Sequence, residues 1–76
     1  MPEWKRITVD PRVMGGKPCI RGSRVTAGAL VGLLAAGRTP EEILKAYPYL
    51  EPDDIREALH YASWRLEEAE QPLSPS

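Results

Sequence analysis

The chain has 76 residues, a formal net charge of −1, one cysteine and one histidine. A chain of this length forms one domain with a small core, so self-association is the expected additional source of stability. A disulfide within the chain and a zinc site are both excluded by this count, and we see neither a signal peptide nor an apolar run that spans a bilayer. We therefore expect a soluble, cytoplasmic protein that uses no metal and no cofactor.

The small net charge conceals an uneven distribution along the chain. Residues 1–26 carry six basic and two acidic side chains, a net of +4, whereas residues 27–76 carry four basic and nine acidic ones, a net of −5. The basic segment either meets nucleic-acid phosphates or pairs with the acidic helices of its own or a sister chain. Charge alone favours the second interpretation, because surfaces with both signs are normal in globular proteins.

The first part of the chain is typical of β structure. Residues 7–9 read as a short strand that ends at Asp10-Pro11. Residues 18–21 and 24–26 predict a hairpin with Gly22-Ser23 as its two-residue turn, which places Arg21 opposite Arg24. Like charges that face each other across a sheet cost stability, so the two arginines require an anion nearby.

Two helices follow. The first is predicted over residues 27–36, which are rich in alanine and leucine, and Gly37 marks its end. The second begins with a capping box formed by Thr39 and Glu42, with Pro40 at its first position. It ends before Pro48, and its inward side chains are Ile43, Leu44 and Tyr47.

The third predicted helix is the longest and runs from about Pro52 to Glu70. Trp64 lies on its far side with His60 and Tyr61, and an exposed tryptophan there favours a protein interface made by these three residues. Residues 71–76 are expected to be disordered. The apolar stripe of the helix comprises Ile55, Ala58, Leu59, Ala62, Leu66 and Ala69.

These elements predict a mainly α fold, with a small N-terminal β-hairpin or strand region followed by a three-helix unit. The unit resembles a helix-turn-helix of the homeodomain-like or winged-helix-like kind, in a single domain over residues 1–70. The would-be recognition helix begins with several acidic residues, which repel phosphate. If DNA is bound, we expect the basic front segment to supply the attraction. The candidate anion-binding residues are Lys17, Arg21, Arg24 and Arg12.

Several short motifs extend over nearly the whole chain. They are Asp10-Pro11, Gly16-Lys17-Pro18, Ile20, Gly22, Arg24, Val25, Gly37, residues 40–44, Tyr47-Pro48 and Leu50. This combination resembles the bacterial family called domain of unknown function 433. The chain departs from that pattern at Ser23, where threonine is frequent, and at Glu51, which replaces a better N-cap residue before the third helix.

The resemblance implies a compact helix-turn-helix-like antitoxin similar to those of the VapB type. Such a protein neutralises a toxin that resembles a PIN-type ribonuclease and represses its own operon. From the small size of the chain we also expect a homodimer or higher homo-oligomer. The alternative is a structural or protein-binding module that does not bind DNA and whose basic hairpin pairs with its own acidic helices.

Catalytic interpretations do not fit the residues. Pro18 follows Lys17 where a phosphate-binding loop requires serine or threonine, and proline removes a backbone donor. His60 has no evident nucleophile or third group, and Cys19 is expected to be a small buried hydrophobic side chain. We therefore expect no enzymatic activity.

Overall fold

The computed structural model describes residues 3–69 of the chain. It contains two short strands, β1 (Ile7–Thr8) and β2 (Cys19–Ile20), and three helices, α1 (Ala27–Ala35), α2 (Pro40–Ala46) and α3 (Pro52–Ala69). The predicted fold, mainly helical with a small N-terminal β region, is confirmed. No helix in the described part is both long and apolar enough to cross a membrane. The segment 71–76, predicted to be disordered, lies outside the described residues.

The strand pairing differs in part from the predicted hairpin. β1 pairs antiparallel with β2, so that Ile7 lies opposite Ile20. The predicted pairing with residues 24–26 is reduced to one bridge, between Cys19 and Thr26, in the register that the sequence predicts. β2 therefore lies between two chain segments, because its other edge is taken by the strand that precedes it in the sequence.

The turn after β2 begins one residue earlier than predicted. The backbone N–H of Ser23 donates to the carbonyl of Ile20 at 3.1 Å, and Gly22 has a φ of 75° at the third position, as in a type II turn. Ser23 Oγ also donates to Ile20 O at 2.8 Å and accepts from Val25 N at 3.1 Å. Arg21 therefore lies inside the turn, and its predicted direct opposition to Arg24 across a ladder is wrong.

The ends of α1 and α2 follow from local sequence. Thr26 caps α1 by accepting a hydrogen bond from Ala29 N at 3.0 Å, and Gly37 ends the helix with a φ of 94°. Both hydrogen bonds of the predicted capping box are present at α2, from Glu42 N to Thr39 Oγ1 at 3.1 Å and from Thr39 N to Glu42 Oε1 at 2.8 Å. The boundaries of the two helices thus agree with the prediction to within one residue.

The core lies where α1 packs against α3, with β1, β2 and α2 at its edges. The predicted apolar stripe of α3 is only partly used: Ile55 and Ala58 are buried, but Leu59 is 43% and Leu66 65% exposed. The covered face of α3 is rotated from the predicted stripe, because Asp54 and Ala58 are buried and Tyr61 is half-buried. The buried core consists of Ile7, Ile20, Val25, Ala27, Leu30, Ile43, Leu50, Ile55 and Ala58.

Candidate functional site

Arg6, which directly precedes β1, binds the carboxylates at the beginning of α3. Its guanidinium donates from Nη1 to Glu51 Oε1 at 2.7 Å and to Asp54 Oδ1 at 3.0 Å, and its Nη2 lies 3.8 Å from Asp53 Oδ2. The hydrogen bonds to Glu51 and Asp54 raise the pKa of the arginine above its ordinary value. The chain's own carboxylates therefore bind a basic residue of the front segment, but one that the sequence did not single out.

Two further carboxylate contacts organise the same region. Glu57 Oε2 accepts hydrogen bonds from the backbone N–H groups of Arg6 and, at 3.1 Å, of Ile7. Asp54 Oδ2 accepts from the backbone N–H of Glu51 at 2.7 Å, which is the return half of a capping box. The weak N-cap at Glu51 is thus compensated by the residue three positions later.

Three of the basic residues predicted to bind an anion form no ion pair within residues 3–69. Lys17, Arg21 and Arg24 are all exposed, and no described carboxylate oxygen lies within 4.0 Å of their nitrogens. Arg21 lies in the turn after β2 and Arg24 directly follows it, whereas Lys17 precedes that strand. The segment 17–24 therefore presents three cations to solvent around one short strand.

Arg12 differs from these three. Its backbone N–H, Nε and Nη2 donate to the Asp10 carboxylate at 2.9, 3.1 and 3.2 Å, although its side chain is 88% exposed. These hydrogen bonds lower the pKa of Asp10, the side-chain bonds contributing most. Arg12 is therefore engaged locally.

A cleft of about 400 Å³ separates the turn after β2 from the connection between α2 and α3. Arg21 lies on the first side, and Tyr49, whose exposed fraction is 63%, lies on the second. A guanidinium donates to phosphate oxygens and an exposed aromatic ring offers a face for a flat group. The cleft is lined by Arg6, Ile20, Arg21, Gly22, Ser23, Tyr49, Leu50, Glu51 and Asp54.

The residues of the predicted protein interface on α3 are packed differently from what was expected. Trp64 is half-buried, because Trp4 packs against it with ring centroids 5.9 Å apart. Tyr61 completes an aromatic cluster, with its centroid 5.3 Å from that of Trp4 and 5.7 Å from that of Trp64. The expectation of a freely exposed Trp64 is therefore wrong, whereas His60 is exposed.

The described residues include few groups that are suited to chemistry other than binding. No group of three or more His, Cys, Asp or Glu side chains in residues 3–69 is placed to hold a metal ion. Cys19 is buried, with 2% of its surface exposed, and its Sγ donates to the carbonyl of Lys17 at 3.3 Å. Its predicted role as a small buried side chain is confirmed.

The unpredicted contacts between the N-terminal segment and α3 involve residues 4–7. Arg6 and Trp4 reach partners 45 or more positions away along the chain, and no local spacing indicates such pairing. Tyr49 is a different case. It stands beside Pro48 in a short connection between two predicted helices, which is where exposed aromatic side chains are available for binding.

The fold and this site define a small helical domain with a helix-turn-helix outline and an exposed basic turn. The sequence profile of the family described as protein of unknown function (DUF433) matches residues 7–62, and the chain belongs to that family.

Two relatives extend the comparison. An uncharacterized protein, y4eO, of Sinorhizobium fredii is 39% identical over 56 residues, which are 74% of this chain and 25% of that protein. The chain thus spans about a quarter of the length of this relative. The crystal structure of a DUF433 member protein from Anabaena variabilis matches with a TM-score of 0.78 at 33% identity, over 83% of this chain and 62% of that one.

Proposed function

We propose that this protein is a DNA-binding regulatory protein of the antitoxin kind, in which the turn after β2 contacts phosphates. The observation that carries the proposal is that the arginines differ in whether they contact carboxylates. Arg6 takes the carboxylates at the beginning of α3, whereas Arg21 and Arg24 are exposed and form no ion pair within residues 3–69. Arg21 also lines the open cleft, and exposed guanidinium groups are suited to phosphate oxygens.

The acidic end of α3 constrains how DNA approaches. Glu51 and Asp53 have side chains that are 66% and 62% exposed, and within residues 3–69 Arg6 alone pairs with them and with Asp54. A polyanion is therefore repelled from this end of the helix. In our proposal the basic turn, with Lys17 beside it, leads the contact, and α3 enters the groove only as far as this repulsion permits.

The proposed protein partner is a nuclease-like toxin of the PIN kind, which the family resemblance implies. Its docking surface is proposed to include His60, Tyr61 and Trp64, of which His60 is exposed and the two aromatic residues are half-buried. We propose no catalytic role for the chain itself, and a cytoplasmic setting for the complex. A neighbouring gene that encodes a small nuclease would support this assignment.

A salt titration of DNA affinity tests the proposal. The probes are a duplex from the region upstream of the protein's own gene and a duplex of scrambled sequence. Replacing both arginines, Arg21→Gln and Arg24→Gln, is expected to weaken binding and to lower the magnitude of the slope of log K against log salt by about 2.

The matched control is Arg12→Gln, which removes the same charge from the same segment. Because this guanidinium is hydrogen-bonded to Asp10, its loss is expected to change the slope less than the loss of either turn arginine. Unchanged affinity and slope in the double variant would contradict the proposal.

The second candidate is a protein-binding or structural module that does not bind DNA. The ion pairs of Arg6 with Glu51 and Asp54 favour it, because they are internal pairings of the basic front with an acidic helix. This candidate predicts no binding to either duplex at physiological salt. It also predicts that replacing Arg21 and Arg24 changes neither binding nor folding, since they have no described carboxylate partner.

A further inference from the structure

The second half of α3 carries an apolar strip that the core does not cover. Leu59 and Leu66 are 43% and 65% exposed, although both belong to the stripe that Ile55 begins in the core. They are seven residues apart, which is two helical turns, so they lie almost above one another. Ala62 and Ser63, between them, are small and leave the strip accessible to another helix.

The geometry points to α3 of a second copy of this chain as the occupant of this strip, in antiparallel orientation. A two-fold axis that passes between Ala62 and Ser63 places Leu59 of one copy against Leu66 of the other, and the reverse contact follows by symmetry. Each exposed leucine then packs against a leucine, and the small residues at the centre allow close approach of the two helices. The same patch serves both copies.

Charged side chains beside the strip are complementary under the same axis. Arg56 and Glu67 are both exposed and eleven residues apart, which is about three turns and places them on the same flank of the strip. Neither forms an ion pair within residues 3–69. Under this axis position 56 of one copy lies opposite position 69 of the other, two residues or about 3 Å along the helix from Glu67. The long side chain of Arg56 spans this offset, so the interface gains two ion pairs of opposite charges.

This self-complementarity favours a second copy over an unrelated partner. A different protein would have to offer both the matching leucines and the matching charges, whereas the chain already contains both in the required order. A domain with a core this small also gains stability from association. The inference does not depend on DNA binding, and it is tested without DNA.

Charge reversal on the flank tests the pairing. Analytical ultracentrifugation of the full chain over a range of concentrations measures the dimerisation constant. Arg56→Glu and Glu67→Arg are each expected to weaken dimerisation by about tenfold or more, because each places like charges together twice. The double variant is expected to restore dimerisation to within a few-fold of the original protein.

Glu68→Arg is the matched control, since it makes the same charge change one residue further along, away from the strip. Its dimerisation constant is expected to stay close to that of the original protein, and circular dichroism checks that every variant is folded. A second pair, Leu59→Gln and Leu66→Gln, is expected to give folded monomers, because both side chains are exposed in the single chain. An original protein that stays monomeric, or a double reversal that restores nothing, would overturn the inference. Association only in the presence of a nuclease would also overturn it.

Discussion

The arginines near the beginning of the chain differ in what their guanidinium groups contact. Arg6 is held by two carboxylates of α3, Arg12 by Asp10 two positions away, and Arg21 and Arg24 by no described carboxylate. A residue count treats all four as equivalent positive charge. Their contacts assign the first to folding and the second to a local turn, and they leave the last two available for the phosphate binding that we propose.

The pair of Asp10 and Arg12 makes a prediction about acid titration. Because the hydrogen bonds lower the pKa of Asp10, they stabilise the fold above the ordinary aspartate pKa of about 3.9, and that contribution disappears as the pH falls through the lower value of the folded state. NMR titration of the Asp10 carboxyl is expected to show a pKa below the ordinary one. Arg12→Gln should return it toward the ordinary value, and an unchanged pKa in that variant would show that Arg12 is not the cause.

At the scale of elements, the helix ends are the most local feature of the fold. Thr39, Pro40 and Glu42 are consecutive or nearly so, and the capping box they form depends on no distant residue. The position of α2 is therefore readable from four residues of sequence. The strand region is the opposite case, because β2 pairs with a strand that begins twelve residues earlier as well as with the segment after its turn.

The capping box predicts the effect of one substitution. Thr39→Ala removes the hydroxyl that accepts from Glu42 N, and it is expected to lower the free energy of unfolding by about 1 kcal/mol. Thr39→Ser keeps an oxygen in place and should recover most of that loss. Urea denaturation followed by circular dichroism measures both, and equal stability of the alanine and serine variants would contradict the role of the cap.

At the scale of the whole molecule, residues 4–7 join the β region to α3, and we call the contacts they make the N-terminal contacts. Trp4 packs on Tyr61 and Trp64, Arg6 binds Glu51 and Asp54, and Glu57 accepts from the backbone next to β1. α3 and the residue before it contribute acidic and aromatic side chains to a segment that has only two residues of regular strand. Part of the acidic charge of α3 therefore helps to hold the N-terminal segment in place.

Removing the guanidinium of Arg6 tests how much the N-terminal contacts stabilise the fold. Arg6→Gln leaves the buried carboxylate of Asp54 without its cation, so the urea midpoint is expected to fall clearly below that of the original protein. Arg12→Gln is the control of equal charge and is expected to lower the midpoint much less, because its pair is exposed. Equal midpoints for the two variants would show that Arg6 has no special structural role.

The sequence predicts the helices, the capping box of α2 and the glycine that ends α1, since each depends on neighbours in the chain. It does not predict that Arg6, rather than Arg21 or Arg24, takes the carboxylates, because that choice depends on which strand edge lies beside α3. The cover of Trp64 by Trp4 escaped prediction for the same reason. Side-chain periodicity identifies the faces of a helix, but not which distant segment covers each face.

The distance along the chain between Arg6 and its partners has a consequence for the order of events during synthesis. Arg6 leaves the ribosome 51 residues before Glu57, whose carboxylate fixes its backbone. The N-terminal contacts therefore cannot form while the chain is still short, because α1 and α2 emerge before any part of α3 is available. We expect the nascent chain to remain open at its N-terminal strand, and so accessible to proteases, until the first turns of the last helix have emerged.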